Sequence, residues 1–385
     1  MNERILITGG AGFIGMHLAR HLAQVGYTIV LVDNYARGIM DSELQELISL
    51  PAISFREVDL MEKKSVLNLG TDYLGIFHLA AIVGVKHVVQ SPYKVLVQNT
   101  KMLENIIELA RKQTLLSGLF FSSTSEVYAG AFHHIDMSIP TPEISPLVLT
   151  DIEQPRTAYM LSKIMGEAMC YQSGLPVTIY RPHNIYGPRM GMSHVIPEQL
   201  HKAWKAGKGD KVPVYSVNHR RAFCYIDDAV EMLKRILENS ACRGTILNLG
   251  SASPEVSMRQ VAELCFTAVG KNLEVSPLPP TTGSPERRAP DMSRTIELIN
   301  YKSMIGLEEG IRRTWSWYKE SIIKGAALDV YSVEPAENNV LFGVNNLILT
   351  PHIAASTEEA QLIVAKQIAE QISEFFNTGK ITNSV

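Results

Sequence analysis

A glycine-rich loop between an apolar strand and a helical segment most constrains what this chain can fold into. The stretch RILITGGAGFIGMHLARHLAQVG occupies residues 4–26. Its glycines, Gly9, Gly10, Gly12 and Gly15, fit both GxGxxG and GxxGxxG. Glycines permit a tight turn there and let backbone N–H groups approach a pyrophosphate at the helix N-terminus. The pattern therefore predicts the first strand and helix of a dinucleotide-binding domain.

The second apolar strand supports this prediction, because it ends in a carboxylate. The run VLVD ends at Asp33, about 20 residues beyond the loop, where such domains place the acid that bonds the ribose. A carboxylate suits the free 2′-hydroxyl of NAD and repels the 2′-phosphate of NADP. We therefore expect NAD as the coenzyme, although the nearby Arg37 leaves NADP open.

Strand-like and helical segments alternate along the first half of the chain. Short buried runs are separated by segments with helical spacing; these runs are RILIT, TIVLVD, ISFREV, LGIFHLA, GLFFSS and PVTIYR. Such alternation predicts an α/β fold, a Rossmann-type doubly wound parallel sheet. With 385 residues, more than one domain is expected. We predict an NAD-binding domain over 1–182, a smaller α/β substrate-binding region over 183–324 and a short α/β extension over 325–385.

Composition excludes several classes of partner. A formal charge of −3 gives no basic stripe, so we expect no nucleic acid. The four cysteines lie far apart without a CxxC pair, which fits a reducing compartment, and we expect a cytoplasmic protein with no leader segment. The longest apolar stretch, IFHLAAIVGV, is too short to span a membrane. His17 and His21 lie one helical turn apart, but the sequence offers no third ligand, so we expect no metal site.

A tyrosine–lysine pair and a hydroxyl-rich strand end carry the predicted chemistry. TAYMLSK places Tyr159 and Lys163 four residues apart, on one face of a helix. A neighbouring ammonium and a positive nicotinamide would stabilise a phenolate and lower the pKa of Tyr159. Tyr159 could then accept the proton of a substrate alcohol while NAD+ accepts the hydride. Thr124, in the stretch FSSTSEVYAG, would hydrogen-bond the same oxygen.

Taken together, the motifs TGGAGFIG, VDN, HLAA, SSTSEVY, YMLSK and RPHNIYGPR resemble the extended short-chain dehydrogenase/reductase family over residues 1 to about 320. Its members include nucleotide-sugar epimerases, 4,6-dehydratases and decarboxylases. The resemblance implies that Thr124, Tyr159 and Lys163 are the catalytic trio and that NAD is tightly held. The implied coenzyme-binding residues are Gly9, Gly12, Phe13, Ile14, Gly15, Asp33, Asn34, Asp59, Leu60, Ala80, Ala81, Asn99, Tyr159 and Lys163.

The same resemblance implies a nucleotide-sugar substrate, with a UDP-sugar favoured, and a homodimer. Asn184 and the arginines Arg221 and Arg288 match residues that contact the substrate diphosphate, and Ser125 is expected to contact the sugar. Guanidinium groups suit this role because they bind phosphate oxygens with paired, directional hydrogen bonds.

Glu126 bears on the reaction. If the strand stays extended, Glu126 shares the face of Thr124 and lies near the carbons next to the oxidised C4. The Thr-Ser-Glu triplet resembles that of UDP-glucuronate decarboxylases and GDP-mannose 4,6-dehydratases. We therefore expect C4 oxidation followed by decarboxylation or dehydration, with Glu126 as a base or an orienting group. A UDP-sugar 4-epimerase, an NADPH-dependent keto-reductase and a non-catalytic NAD-binding regulator remain alternatives.

The C-terminus resembles a second family. GAALDVYSVEPAENNVLFGVNNLILTPHIAAS and the helical segment after it, over 325–385, resemble the end of the coenzyme domain of D-3-phosphoglycerate dehydrogenases. Glu334 and His352 match that family's glutamate and acid–base histidine. Because no second glycine loop or hydroxyacid-binding domain accompanies them, we expect a fused remnant that packs on the main body or on a second subunit.

Overall fold

The computed structural model describes residues 3–149, 151–280, 284–322, 326–328 and 347–349, together with Lys366 and Ala369. The chain divides into two compact units, Met1–Trp317 and Tyr318–Val385.

Strands and helices alternate from the start of the chain. The strands are β1 Arg4–Thr8, β2 Thr28–Asp33, β3 Ile53–Glu57, β4 Tyr73–His78, β5 Gly118–Ser122, β6 Val177–Pro182, β7 Ile185–Tyr186, β8 Lys211–Tyr215, β9 Arg220–Arg221, β10 Cys224–Tyr225, β11 Thr245–Leu249, β12 Val256–Ser257, β13 Glu274–Leu278, β14 Arg287–Arg288, β15 Ala326–Leu328 and β16 Leu347–Leu349. The helices are α1 Phe13–Gln24, α2 Ser42–Ile48, α3 Lys63–Leu67, α4 Val85–Gln90, α5 Pro92–Arg111, α6 Ala131–His134, α7 Pro155–Gln172, α8 Val195–Lys205, α9 Ile226–Glu238, α10 Met258–Val269, α11 Ser293–Ile299 and α12 Leu307–Ile322.

Seven parallel strands form the main sheet, in the order β11-β6-β5-β4-β1-β2-β3. Because β1 pairs with β2 on one side and β4 on the other, the strand order reverses beside β1. Ligands of doubly wound sheets bind at such a switch point, beyond the carboxyl ends of the strands. The predicted Rossmann-type sheet is confirmed, and each of the six predicted strands lies within two residues of its expected bounds.

The sheet is buried on both faces, as its apolar runs predict. Ile5, Leu6 and Ile7 in β1 are fully buried, and Leu18 and Leu22 of α1 pack away from solvent. Burying each such side chain contributes about 1.5–3 kcal/mol relative to exposure. The core therefore fixes the ends of β1, β4 and β5, where the polar residues begin.

Smaller sheets follow the first six strands. β9 pairs antiparallel with β12 and parallel with β14, and the register places Arg221 opposite Arg288. The main sheet takes its strand β11 from residues 245–249, well beyond residue 182. The predicted division at residues 182 and 324 stays a prediction.

In the second unit, β15 and β16 form a parallel pair. Glu334 and His352 lie outside the described residues, and so does the expected C-terminal helix apart from Lys366 and Ala369, which are helical. Among the helices that the structure describes, none is long and apolar enough to cross a membrane.

Candidate active site

The glycine loop closes tightly on itself and on the end of β4. Gly9 has φ +72°, and a Cβ there would lie 2.9 Å from the backbone nitrogen of Ala80. A Cβ at Gly15 would lie 2.3 Å from the carbonyl oxygen of Gly9. No side chain among the described residues caps α1 through its N-cap Gly12, and its first turn holds no acid. The first N–H groups of α1 are thus left for an anion, as a dinucleotide pyrophosphate requires.

Asp33 lies at the carboxyl end of β2 and bonds the loop. Its Oδ2 accepts from the backbone nitrogen of Ala11 at 3.0 Å, and its Oδ1 accepts from that of Tyr35 at 2.9 Å. Each carboxylate oxygen can accept two hydrogen bonds, so one position on each remains for a ribose hydroxyl. Asn34 is a weaker candidate for bonding the ribose, since its Oδ1 already accepts a hydrogen bond from the backbone nitrogen of Ala36 at 3.1 Å.

Two further residues that were predicted to bind the coenzyme, Asn99 and Asp59, hydrogen-bond nearby backbone groups. Asn99 accepts from the nitrogen of Ile82 at 2.7 Å and donates to the carbonyl of Ile82 and to Ser162 Oγ, both at 3.2 Å. It therefore holds the loop that carries Ala80 and Ala81. Asp59 accepts from the nitrogen of Met61 at 3.0 Å. Their contacts with NAD stay predictions, as do those of Phe13, Ile14 and Leu60.

The strand before Thr124 ends earlier than expected. β5 ends at Ser122, and Ser125–Tyr128 form a 3-10 helix instead of continued strand. Thr124 is the N-cap of this helix, and its Oγ1 accepts from the nitrogen of Glu126 at 3.2 Å. The prediction that Glu126 shares a strand face with Thr124 is therefore wrong. A hydroxyl residue favours the N-cap over continued strand because it satisfies a helical N–H.

Tyr159 lies on α7 and hydrogen-bonds Thr124. Burial raises the pKa of Tyr159 above its ordinary value, and the negative charge of Glu126 adds to this rise. The hydrogen bond from Thr124 and the positive charge of Arg37 oppose it. Desolvation of the phenolate outweighs these two opposing effects, and the lowering predicted from an ammonium together with a positive nicotinamide stays a prediction.

Lys163 is buried one turn beyond Tyr159. Its Nζ donates to the carbonyl of Ser122 at 2.8 Å and lies 5.9 Å from the centroid of the Tyr159 ring. Burial lowers the pKa of Lys163 to about 8. The ammonium form still predominates at neutral pH, so a positive charge stands behind the phenol as predicted from the YxxxK spacing.

Glu126 and Arg288 form an ion pair at the same place. Arg288 is the main cause that lowers the pKa of Glu126, whose side chain is 39% exposed. The Nη2 of Arg288 lies 3.4 Å from Oδ1 of Asn184, so the predicted substrate residues Asn184 and Arg288 are brought together. The buried Nε of Arg288 has no hydrogen-bond partner among the described residues.

Arg221 lies beside Arg288, but its guanidinium is already hydrogen-bonded to residues 284 and 285. Its guanidinium donates to the carbonyl of Pro285 at 2.7 Å and to Ser284 Oγ at 2.9 Å. Burial, with Arg288 as a second cause, lowers the pKa of Arg221 to about 10. Like charges directly opposite across strands are unfavourable unless an anion lies between them. The diphosphate contacts predicted for Asn184, Arg221 and Arg288, and the sugar contact predicted for Ser125, stay predictions.

One buried ion pair beneath the site was not predicted. Arg181 binds both carboxylate oxygens of Glu167, at 2.7 and 2.9 Å, and donates to Tyr128 Oη at 2.7 Å. Ser123 Oγ donates to the same carboxylate. The pair therefore anchors both sides of the Thr124 turn. One feature of the sequence could have indicated that Glu167 lies near the site, because Glu167 follows Lys163 by one helical turn.

The histidines of α1 serve the packing of that helix. His17 Nε2 lies 3.1 Å from the carbonyl of Pro188, and His21 Nε2 lies 2.9 Å from a carboxylate oxygen of Glu231. The described part of the chain contains no cluster of three His, Cys, Asp or Glu side chains suited to a metal ion.

Comparison with known proteins agrees with this geometry. Residues 5–250 match the NAD dependent epimerase/dehydratase family. Residues 316–354 match the NAD binding domain of the D-isomer specific 2-hydroxyacid dehydrogenases, which supports the resemblance seen at the C-terminus. The chain is 31% identical over 333 residues to a UDP-N-acetyl-alpha-D-glucosaminuronate decarboxylase of Bacillus cytotoxicus, covering 83% of this chain and 99% of the relative.

Two further matches are a second decarboxylase and the solved structure of a dehydratase. UDP-glucuronic acid decarboxylase 1 of Xenopus tropicalis is 31% identical over 327 residues, 83% of this chain and 73% of the relative. The structure of an NAD-dependent NDP-hexosamine 5,6-dehydratase involved in tunicamycin biosynthesis matches with a TM-score of 0.68 and 27% identity. That match covers 83% of this chain and 98% of the other.

Proposed function

Because this chain belongs to the NAD dependent epimerase/dehydratase family, we propose that it decarboxylates a UDP-hexuronate through a 4-keto sugar. The observation that carries the proposal is the Arg288 guanidinium, which bonds Glu126 through one nitrogen and keeps a buried, unpartnered Nε among the described residues. A buried N–H donor needs an acceptor, and a substrate carboxylate is a strong one. The two decarboxylase relatives, each matched over 83% of this chain, support the same substrate class.

The first step is oxidation at C4. Bound NAD+ supplies a hydride acceptor, and the glycine loop with Asp33 would hold it. Tyr159 accepts the proton of the C4 hydroxyl, while Thr124 hydrogen-bonds the phenol and holds it toward that oxygen. Because burial raises the pKa of Tyr159, the phenolate needs positive charge nearby, and the Lys163 ammonium, 5.9 Å from the ring centroid, would supply it.

The second step is loss of carbon dioxide. A ketone at C4 makes a C6 carboxylate a β-keto acid, so the C5–C6 bond can break with its electrons delocalised onto the C4 oxygen. Arg288 would hold that carboxylate, and Glu126 would hold Arg288. Glu126 itself is a poor proton donor at neutral pH, because Arg288 lowers its pKa. C5 would then take up a proton from solvent, the hydride would return to C4, and Tyr159 would return its proton to the C4 oxygen.

The ion pair also weighs against dehydration. Removal of the C5 hydrogen needs a general base, and a carboxylate whose pKa is lowered by a bound guanidinium is a weak one. Epimerisation at C4 is the second candidate, because it requires only Thr124, Tyr159 and Lys163. A non-catalytic regulator is disfavoured because Thr124, Tyr159 and Lys163 are all present, and a keto-reductase would release its coenzyme.

The test is to incubate the protein with UDP-glucuronate, UDP-N-acetylglucosaminuronate and UDP-glucose and to read the products by mass and NMR. We expect a uronate to lose one carbon dioxide and become a UDP-pentose, whereas UDP-glucose is left without that loss. Glu126→Gln, which loses the charge but keeps the shape, should slow carbon dioxide release. A product of unchanged mass with inverted C4 would replace decarboxylation with epimerisation.

We also propose a cytoplasmic homodimer. Exposed apolar side chains mark the outer sides of α5 and α7: Tyr93 is 77%, Val97 42% and Met165 46% exposed. Such residues on adjacent helices suit packing against the same helices of a second copy. Light scattering should give twice the chain mass, falling to one chain mass for Val97→Asp with Tyr93→Asp. A monomeric parent would overturn the dimer.

The state of the cysteines supports the cytoplasmic location. The four cysteines are buried free thiols, and a reducing compartment such as the cytoplasm maintains that state.

A further inference from the structure

We propose that Arg189 is a positioning residue that latches the segment after β2 onto the glycine loop and thereby slows release of the coenzyme. The proposal rests on the NAD-binding part of the proposed function and is independent of the fate of the sugar. Residues 36–41 and residue 189 meet at the loop although almost 150 positions separate them in sequence.

The Arg189 side chain is 8% exposed and uses three of its nitrogens. Nε donates to Asp41 Oδ2 at 2.9 Å, Nη1 to the carbonyl of Ala11 at 2.7 Å, and Nη2 to the carbonyl of Ile39 at 3.2 Å. A planar guanidinium can make these bonds together, whereas the ammonium of lysine lacks the forked geometry. Arg189 therefore joins the glycine loop to the segment after β2.

Ala11 is held from both sides by charged groups. Its nitrogen donates to Asp33, and its carbonyl accepts from Arg189. Ala11 directly precedes Gly12, the N-cap of α1, so both peptide groups that lead into the helix are held. Their orientation therefore sets the direction of the N–H groups that would meet the pyrophosphate.

The segment lies directly on the loop. A Cβ at Gly38 would lie 2.5 Å from the Cβ of Ala11, so the two backbones approach as closely as glycine allows. Asp41 has a second role, because its Oδ1 accepts from the nitrogen of Leu44 at 2.9 Å as the N-cap of α2. The Asp41 carboxylate thus ties both α2 and Arg189 to one point.

Arg189 is itself held in an uncommon conformation. Its φ of +66° lies in the left-handed region, which non-glycine residues adopt only where surrounding contacts enforce it. The preceding carbonyl, of Pro188, meets His17 Nε2 on α1 at 3.1 Å. The backbone at Arg189 is therefore fixed against the helix that follows the glycine loop.

The latched segment also carries Arg37, which lies in sequence between β2 and Gly38. The positive charge of Arg37 opposes the rise in the pKa of Tyr159. A segment that opens would withdraw this charge and uncover the loop together. Loss of the Arg189 contacts should therefore increase the rate of coenzyme release more than it changes the rate of the chemical step.

The experiment measures NAD release in the absence of any sugar nucleotide. Holoenzyme is diluted into excess ADP-ribose as competitor, and remaining NAD is quantified over time for the parent, Arg189→Gln, Arg189→Lys and Asp41→Asn. We expect release from Arg189→Gln to be about 10- to 100-fold faster, the range that loss of one or two charge-assisted hydrogen bonds gives. Arg189→Lys should restore little of the retention. Arg4→Gln, which removes an exposed ion pair with Asp72, should release NAD at the parent rate.

Two further readouts separate a latch from a general loss of structure. Hydrogen exchange of residues 36–41 should rise in Arg189→Gln while that of β5 stays unchanged. The double variant Arg189→Gln/Asp41→Asn should release NAD no faster than Arg189→Gln alone, because the contact between residues 41 and 189 is already lost and asparagine can still cap α2. Parent-like release from Arg189→Gln, or effects that multiply in the double variant, would overturn the latch. Neither result depends on whether the enzyme decarboxylates its substrate.

Discussion

Replacement of Tyr159 by phenylalanine is expected to lower turnover by about 10³-fold while NAD stays bound, since a positioned general base contributes roughly 10²–10⁴-fold. The phenol is the acid–base group that Thr124 contacts, and the ammonium of Lys163 lies 5.9 Å from its ring centroid. Phenylalanine keeps the ring and removes the one atom that can accept the C4 proton. Turnover is measured by product formation, and bound NAD by release on denaturation.

A second buried tyrosine supplies the control for this variant. Tyr186 is 1% exposed and donates to the carbonyl of Leu307 at 3.2 Å, a contact within the fold. Tyr186→Phe should cost stability by about the value of one hydrogen bond, roughly 1 kcal/mol, and keep turnover near that of the parent. If Tyr159→Phe and Tyr186→Phe lost turnover equally, Tyr159 would have no special role in proton transfer.

Replacement of Arg181 by methionine is expected to destabilise the protein by about 3–5 kcal/mol, because it leaves the buried carboxylate of Glu167 without its partner. Arg181 is 2% exposed and donates to Glu167, Tyr128 and the carbonyl of Glu143. The free energy of unfolding is measured by denaturant titration. Turnover should fall as well, since Ser123 and Tyr128 flank the Thr124 turn and both contact this pair.

Arg4 provides the matched comparison for Arg181. Its ion pair with Asp72 has side chains 34% and 50% exposed, and exposed pairs contribute about 0–1 kcal/mol. Arg4→Met should therefore change the free energy of unfolding by less than about 1 kcal/mol. Arg181→Met combined with Glu167→Leu should recover much of the lost stability, because no unpaired charge remains. Equal losses in Arg181→Met and Arg4→Met would contradict the assignment of a buried, obligatory pair.

The parts of the fold that follow local rules could be predicted. The six strands and the glycine loop follow from apolar runs and from spacing, because strand burial and tight turns depend on residues close in sequence. Asp33 could be placed for the same reason, since it ends the strand next to the loop. Tyr159 and Lys163 share a helix face, and spacing alone brings them together.

Contacts between distant segments could not be predicted. Arg189 meets Ala11 across 178 positions, and Arg288 meets Glu126 across 162, so the sheet topology had to be known first. The Thr124 turn was missed because a hydroxyl can continue a strand or cap a helix, and local sequence does not decide between them. The rise that burial causes in the pKa of Tyr159 could not be predicted either, because burial depends on the whole fold.

In the proposed reaction, C4 of the sugar transfers a hydride to the bound coenzyme and later receives the same hydride back. The direct test is a single turnover with UDP-glucuronate deuterated at C4. We predict slower turnover than with the unlabelled sugar and a UDP-pentose that retains deuterium at C4. A labelled substrate converted at the unlabelled rate, with its C4 deuterium lost to water, would contradict the account.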